Sequence, residues 1–532
     1  MSKTGLEESG QFQSRYRQGL IQSLLISCVI VAGLAFYFMW WNLFRPYPLE
    51  VRENAGVFVT KMLLKGINPY SLGTHPSFPY VYGILYPVIV YPFVALFGSS
   101  YLVYRAVVAL GIVLSCSVFY WGMRVSQVPV RLALCGTLLY FSHSALNDIY
   151  AVPNSFGLLF MFLSITVPFA GRFNLASVSA GMVLSVLALY TKPYFVVGAP
   201  LLITYVFLFR SKSIGLLSGI IFLAILIPSI WEVNNLLPLY FTDTVIINMN
   251  VAGHSIWHLY HVGQLYFPMG IGLVALLGWR VYIADKSLKT WSAWRPEISL
   301  VDFSKPLLLH PPIGWITYIL VVCSGIYVFK MGLHTGNDLG YVFHLITPFL
   351  IWRACIIAGV EMPGRNEPIC FLQVTAILIA LFFVLPMKRL RQRDHTPSWQ
   401  HASEVVSHYH DVLAVGMLAE ILSEKGMPVY DAGLAEYYPY SFDHNPSKLI
   451  ESYRLKCLEF QKTLDDKVRE QKFDAVIMVH DRYPQPLVSP DLIHQYYRKI
   501  DSFPLDLTFE DETLEVWEPI PAAPGENAHS PP

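Results

Sequence analysis

Three carboxylates at the edges of apolar stretches could serve as the general base of a group-transfer reaction. Glu50 and Glu53 follow the first apolar stretch, and Asp148 follows a later one. A carboxylate can accept the proton of an attacking hydroxyl group. We rank Glu53 first as the base, Asp148 second and Glu50 third. The competing interpretation is that Glu50 and Glu53 only begin a surface helix, because acidic side chains favour the N-terminal end of a helix.

Basic side chains at similar edges could stabilise the negative charge of a leaving phosphate group. The candidates are Lys192, Arg105 and Lys330. Lysines at helix ends commonly only anchor the chain at the membrane interface, which is the alternative for Lys192 and Lys330. Further side chains are predicted to contact substrate, namely Asn154, Tyr70, His334, Asn337 and His344. For Asn154 the favoured alternative is a helix cap.

A group of histidines in the stretch AGHSIWHLYHVGQLYF has the spacing of one helix face. His254, His258 and His261 follow one another at about one helical turn, a spacing that a transition metal could use. No neighbouring cysteine or carboxylate completes a metal site, so we predict no metal there. We assign His258 and His261 to the lining of the substrate site. No cofactor is predicted, although the transfer chemistry leaves a divalent metal open.

The composition places these residues in a membrane protein. The chain has 532 residues, of which 54% are hydrophobic and only 14% are charged. Soluble domains carry roughly a quarter charged residues. The 37 basic and 37 acidic side chains cancel, so no basic surface predicts a nucleic-acid partner. We therefore predict an integral, multi-pass protein of the plasma or inner membrane, whose partners include membrane lipids.

Apolar runs predict a polytopic α-helical fold with about 11 transmembrane helices, since a span needs roughly 20 apolar residues. The candidate spans are 19-41, 101-123, 130-146, 155-171, 174-191, 194-210, 214-236, 264-282, 313-330, 341-359 and 369-387. Residues 80-98 are apolar but rich in proline. If they do not span, most basic loop residues fall in the cytoplasm, as the positive-inside rule expects. We therefore predict an outer loop at 42-100 with juxtamembrane helices.

The polar tail predicts a separate small domain. The transmembrane domain is predicted to cover 1-387, a linker 388-400, an α/β domain 401-519 and a disordered tail 520-532. Helical periodicity covers 404-425 and 446-472, and a short helix follows Pro490. The run MPVYDAG predicts a short strand and turn at 427-433, and a buried strand is predicted at 473-480. The run TLEVWEP is also strand-like. The topology above predicts that this domain is extracytoplasmic, although the basic cluster at 388-393 favours the cytoplasmic side.

Two motifs in the outer loop indicate a family. The run LLKGINPY covers residues 63-70, and the loop closes with LFG at residues 96-98. With the acidic residues before them, these motifs resemble the first outer loop of the GT-C glycosyltransferases that use polyprenyl phosphates. That group includes protein O-mannosyltransferases and lipid A aminoarabinose transferases. By position Glu53 matches the second acid of the family pair, whereas Arg52 replaces the first acid and Asn154 stands where an acid is common.

The resemblance implies a glycosyltransferase that moves a hexosyl or pentosyl group, with inversion, from a polyprenyl-phosphate donor. The acceptor would be an extracytoplasmic glycan, lipid or protein, and the active site would be extracytoplasmic. The chain lacks nucleotide-binding glycine motifs, which fits a lipid-linked donor. The alternative is a transporter or flippase of a lipid-linked glycan or small solute. That class is expected to show internal repeats and charged residues near mid-span, which the sequence does not have.

Overall fold

The computed structural model describes residues 3–49, 51–74, 80–149, 152–247, 338–359, 369–370, 372–377, 395–431, 451–479, 488–506 and 511–521. These residues are mostly helical. The predicted spans 264-282 and 313-330 lie outside the described residues, as do residues 378–394. The number of membrane crossings and the domain boundaries therefore stay predictions.

The amino-terminal part consists of apolar helices. They are α1 (Lys3–Leu43), α2 (Val51–Leu64), α3 (Leu85–Phe97), α4 (Tyr101–Val125), α5 (Val130–Asn147), α6 (Asn154–Ala170), α7 (Leu175–Thr191), α8 (Gly198–Phe209) and α9 (Lys212–Leu236). Among the described helices, those over Arg15–Leu43, Tyr101–Val125 and Lys212–Leu236 are long and apolar enough to cross a membrane. Several shorter apolar helices accompany them. The protein is thus an integral membrane protein by the length and composition of its helices.

The first helix shows how the sequence separates protein contacts from lipid contacts. One stripe of α1 is buried at helical spacing and consists of Leu24, Cys28, Val31, Ala35 and Phe38. The other side is also apolar but exposed, for example at Ile26 and Ile30. An apolar face on both sides is expected where the solvent is lipid. The buried stripe packs mainly against α5.

The outer loop folds into two short helices between α1 and α4. Helix α2 ends at a turn in which Gly66 has a φ of 69°, a conformation that favours glycine. Helix α3 follows a stretch of extended chain and has 13 residues, fewer than the roughly 20 that a span needs. Gly98, with a φ of 84°, ends α3 and leads into α4. The prolines of 80-98 thus lie in and around a short helix that packs against α2, α4 and α7.

The carboxy-terminal part begins with the apolar helix α10 (Asp338–Gly359) and continues as a mixed sheet with helices. The elements are α11 (Thr396–Ser407), β1 (Val412–Ala414), α12 (Ala419–Glu424), α13 (Glu451–Arg469), β2 (Ala475–Val479), α14 (Pro490–Tyr496), β3 (Tyr497–Asp506) and β4 (Asp511–Pro519). The strand order is β1-β2-β4-β3. Strands β1 and β2 are parallel, and the other pairs are antiparallel. We call residues 395–521 the sheet module.

Two local expectations for the sheet module are wrong. The helix predicted over 404-425 is broken, because Val412–Ala414 forms a fully buried strand that pairs with β2. Sheet pairing overrides the helical periodicity of the sequence here. A short strand and turn are predicted at 427-433, but residues 427–431, the described part of this stretch, form no strand. Strand β3 was not expected, and helix α11 begins at Thr396, inside the predicted linker.

Candidate active site

Glu53 is completely buried at the first turn of α2 and is bound by three donors. Arg105 Nε donates to one carboxylate oxygen at 2.8 Å, and Arg105 Nη2 donates to the other at 2.7 Å. The backbone N–H of Leu49 donates to the second oxygen at 2.8 Å. Neither charged side chain has solvent exposure. A buried pair with this bidentate geometry holds its two elements in register, here α2 and α4.

Arg105 uses all five of its N–H donors. Besides Glu53, it binds the carbonyl oxygens of Asn42, Arg45 and Tyr47 at 3.0, 2.7 and 2.6 Å. Those carbonyls belong to the last turn of α1 and to the chain that follows it. Arg105 therefore fastens the end of α1, the start of α2 and the first turns of α4 to one another. The predicted roles of Glu53 as base and Arg105 as phosphate ligand both require that this network open toward a substrate.

A second buried cluster joins three residues that the sequence placed at separate loop edges. Asp148 follows the last residue of α5, Asn154 begins α6 and Lys192 follows α7. Asn154 Nδ2 donates to Asp148 Oδ1 at 3.0 Å, and Lys192 Nζ donates to Asn154 Oδ1 at 3.1 Å. All three residues are buried. The structure therefore brings a carboxylate and a cation together through one amide, and we call these three residues the loop-edge cluster.

Burial sets the chemistry of the carboxylate in this cluster. It raises the pKa of Asp148 to about 6, while the hydrogen bond from Asn154 and the charges of His143 and Lys192 lower it. A carboxylate whose conjugate acid has a pKa nearer neutrality is a stronger base than an aspartate in water. With a pKa of about 6, the carboxyl group is still largely ionised at neutral pH. Asp148 lies in the connection between α5 and α6, at the end of the apolar helices.

Aromatic rings surround the cation of the loop-edge cluster. Lys192 Nζ lies 4.8 Å from the ring centre of Tyr82 and 5.1 Å from that of Tyr194. Tyr194 also donates from its hydroxyl to Asn154 at 3.3 Å. Cation–π contacts keep the ammonium group charged in a site that excludes water. Tyr82 precedes α3, so the outer loop contributes to the same cluster.

Tyr70 reaches the loop-edge cluster through the backbone of the outer loop. Its hydroxyl donates to the carbonyl of Tyr82 at 2.7 Å. The ring is fully buried against Tyr240 and Tyr80, with centres 5.1 and 6.2 Å away. Burial raises the pKa of Tyr70 well above its usual value, so the hydroxyl stays protonated as a donor. In this arrangement Tyr70 shapes the loop that carries Tyr82.

The other predicted site residues are described incompletely or lie elsewhere in the chain. Glu50, His258, His261, Lys330, His334 and Asn337 lie outside the described residues. His344 is in α10, but its side chain is not described. The sequence did not single out Tyr82 or Tyr194. A signal for Tyr194 was present in the run YTKPYF, where it follows the lysine by two positions.

A metal site does not emerge among the described residues. No group of three or more histidine, cysteine, aspartate or glutamate side chains there could hold a metal ion. The loop-edge cluster has a single carboxylate beside an ammonium group, a donor set that suits an anionic substrate better than a cation. The histidine group at 254–261 is outside the described residues.

Comparisons with known proteins find no matching family model and no matching curated protein. A comparison with solved structures finds proteins of low sequence identity and low TM-score. Apo ArnT from Cupriavidus metallidurans has 14% identity, covers 92% of this chain and 97% of its own, and has a TM-score of 0.47. The same protein bound to undecaprenyl phosphate gives 14% identity, coverages of 83% and 80%, and a TM-score of 0.39.

The archaeal oligosaccharyltransferase AglB from Archaeoglobus fulgidus, in complex with an inhibitory peptide and a dolichol-phosphate, is also similar to the chain. It has 11% identity, covers 94% of this chain and 74% of its own, and has a TM-score of 0.42. The TM-scores of all three structures are below 0.5. Likeness at these TM-scores carries no argument about activity, so the function has to be inferred from the residues of the chain itself.

Proposed function

We propose that this chain transfers a sugar from a polyprenyl-phosphate donor to a hydroxyl group of an extracytoplasmic glycan, lipid or protein. The observation that carries the proposal is the loop-edge cluster, in which Asp148 and Lys192 meet through Asn154 at the ends of apolar helices. A base and a cation within one buried site are the two groups that this reaction needs. Their place at helix ends suits a donor whose polyprenyl tail stays in the bilayer.

Each group has a defined role in the proposed step. The acceptor oxygen forms a bond to the anomeric carbon while the bond from that carbon to the phosphate oxygen breaks. The hydroxyl proton goes to the carboxylate of Asp148, and the electron pair of the broken bond stays on the leaving polyprenyl phosphate. Lys192 stabilises the added negative charge on that phosphate. Attack opposite to the leaving group inverts the anomeric centre.

The structure supports a changed order among the candidate bases. We propose Asp148 as the base and assign Glu53, together with Arg105, a positioning role. Glu53 accepts three hydrogen bonds from groups of the protein. All five N–H donors of Arg105 are hydrogen-bonded to protein oxygens. Using either group on a substrate would leave buried charges without their present partners, which costs several kcal/mol. Proton transfer to Asp148 would leave the hydrogen bonds of the α1–α2–α4 junction intact.

The test compares Asp148→Asn with the wild type, both purified in lipid nanodiscs, against a panel of radiolabelled polyprenyl-phosphate sugars and acceptors. We expect turnover to fall about a thousandfold with donor binding retained, because the amide keeps the shape but cannot take a proton. Asp466→Asn makes the same chemical change on an exposed face of α13 and is the matched control. Wild-type turnover in Asp148→Asn would contradict the assignment. Donor movement across the bilayer without sugar transfer would favour the transporter alternative.

A further inference from the structure

One face of α2 is occupied by the sheet module. Asn54, Phe58 and Lys61 are spaced by four and three residues, so they lie on the same side of the helix. Asn54 Nδ2 donates to the carbonyls of Gly416 and Met417 at 2.8 and 3.3 Å. Phe58 packs against Ala419 and Val429 of the module. The contacted residues follow β1 directly and lead into α12.

An ion pair closes this interface at the other end of the face. Lys61 Nζ lies 2.7 and 2.8 Å from the two carboxylate oxygens of Glu420. The side chains are only 20% and 7% exposed, so the pair is largely withdrawn from water. Removing one partner of such a pair leaves the other charge unpaired and poorly solvated. The contact is therefore specific for the docked position of the module.

Asn54 also connects this interface with the buried Glu53–Arg105 pair. Its side-chain oxygen accepts a hydrogen bond from the hydroxyl of Tyr101 in α4. The guanidinium of Arg105 lies 5.1 Å from the ring centre of Tyr101. Glu53 is the sequence neighbour of Asn54 and binds that guanidinium. A short series of contacts thus runs from the carbonyl of Gly416 to the Glu53–Arg105 pair.

A second route joins the module to the same guanidinium. The ring of Tyr47 belongs to the apolar core of the sheet module and packs near His395 and Trp399. The backbone carbonyl of Tyr47 accepts a hydrogen bond from Arg105 Nη2 at 2.6 Å. Two separate segments, one before α2 and one on it, therefore connect the module with Arg105.

We propose that the docked sheet module positions the α1–α2–α4 junction, and that Asn54 and Glu420 are the positioning residues through which it acts. This inference rests on the proposed transferase function for its effect on turnover, but its structural part does not. The module contacts α2 through Asn54, Phe58 and Lys61, while Arg105 binds α2 through Glu53. Undocking the module releases α2 and with it the outer loop that supplies Tyr82 to the loop-edge cluster.

The experiment uses charge reversal across the interface in the full-length protein in nanodiscs. Lys61→Glu and Glu420→Lys are compared with the double variant that carries both changes. Amide hydrogen exchange is followed in residues 55–64 of α2 and 101–108 of α4, and transfer is measured as kcat and KM. The matched control is Lys499→Glu, which breaks the pair with Glu515 inside the module without touching α2.

Each single reversal is expected to speed exchange in both segments about tenfold, and the double variant to restore it. The kcat should fall with exchange and return in the double variant, with the KM for donor changed less than kcat. Exchange that changes only in residues 416–424, or a double variant that fails to restore α2, would overturn the proposal.

Asn54→Leu tests the second contact of the same interface and should loosen both segments without a change in charge. If no donor supports transfer by the wild type, the proposed function fails while the exchange result still decides the coupling. If transfer is normal in every reversal variant despite faster exchange, the positioning role fails and the transferase function stands.

Discussion

Asp148 combines burial with polar neighbours, and these have opposite effects on its proton affinity. Burial dominates and brings the pKa to about 6, above the usual value for an aspartate. Only the ionised carboxylate can take the proton from the hydroxyl group of the acceptor substrate. We therefore expect kcat to decrease as the pH is lowered from about 7 to about 5, because Asp148 becomes protonated over that interval. The measurement is a pH–rate profile with saturating donor.

The acidic limb of that profile has a specific control. Glu420 also has a raised pKa through burial, so a limb that came from the sheet module would respond to Glu420→Gln. We expect Glu420→Gln to keep the limb at the same pH even where kcat is lower. A limb that moves with Glu420, or one that is absent from the wild type, would speak against Asp148.

Lys192 is the second residue whose role can be measured alone. Lys192→Met keeps the length and apolar stem of the side chain but removes the charge that is proposed to stabilise the leaving phosphate. The rate of transfer should fall about a hundredfold, as for the loss of one charged group at a developing anion. Lys65→Met, a change of the same kind at an exposed position after α2, should leave transfer within about twofold.

Residue type and position at a loop edge predict three residues that the structure brings into contact. Asp148 and Lys192 are charged residues at the edges of apolar runs, and Asn154 stands where the resembled family commonly has an acid. Their hydrogen-bonded contact was not predictable, since it depends on how α5, α6 and α7 pack. The pairing of Glu53 with Arg105 joins positions 52 residues apart and had no local signal. The sequence motif marked Glu53 as important without showing that its carboxylate is already bound.

Helices α3 and α7 meet at a glycine that determines where the outer loop lies. Gly83 donates its N–H to the carbonyl of Thr191 at 3.1 Å. A Cβ at this position would lie 2.0 Å from the carbonyl oxygen of Tyr190, and backbone atoms cannot move aside as a side-chain end can. The close approach brings Tyr82 and Lys192 together, because each is adjacent in sequence to one partner of this contact.

Gly83→Ala is therefore expected to separate α3 from the end of α7. The strain should lower the free energy of unfolding by about 1–3 kcal/mol and reduce transfer, since Tyr82 moves away from Lys192. Gly73→Ala is the matched control, because the nearest atom to its added Cβ is a serine hydroxyl at 3.7 Å. Thermal unfolding in nanodiscs and the transfer assay check both variants. Equal stability of the two variants would show that the approach is looser than described.

Elements with strong periodicity or long apolar runs were predicted well, and short elements were not. The helices α4 to α9 lie where apolar runs of the sequence indicate them. Strand β1 has three residues and lies in a segment whose pattern also suits a helix. Its identity comes from pairing with β2, more than 60 residues later, which no local window contains. The same limit explains why β3, a strand with a register shift against β4, was not expected.

We expect the sheet module to lie on the same side of the membrane as the outer loop, because the module contacts α2. Lys61 and Glu420 are in direct contact, so the outer loop and the module share one aqueous side. Helix α4 is long and apolar enough to cross the bilayer, so we expect the turn between α4 and α5 to lie on the opposite side. This arrangement holds whichever number of spans lies in residues 248–337, because the contact is independent of the chain path between the two parts.

Cysteine labelling tests this arrangement in intact cells. In a background in which the exposed Cys370 and also Cys323, which lies outside the described residues, are replaced by serine, three single cysteine variants are treated with a membrane-impermeant maleimide. They are Lys65→Cys, Lys425→Cys and Arg131→Cys. Lys65→Cys and Lys425→Cys should react from outside, because both are exposed near the α2–module interface. Arg131→Cys, at the exposed start of α5, should react only after the membrane is permeabilised. Labelling of Lys425→Cys on the same side as Arg131→Cys would contradict the docked module, because a chain segment cannot contact α2 from across the bilayer.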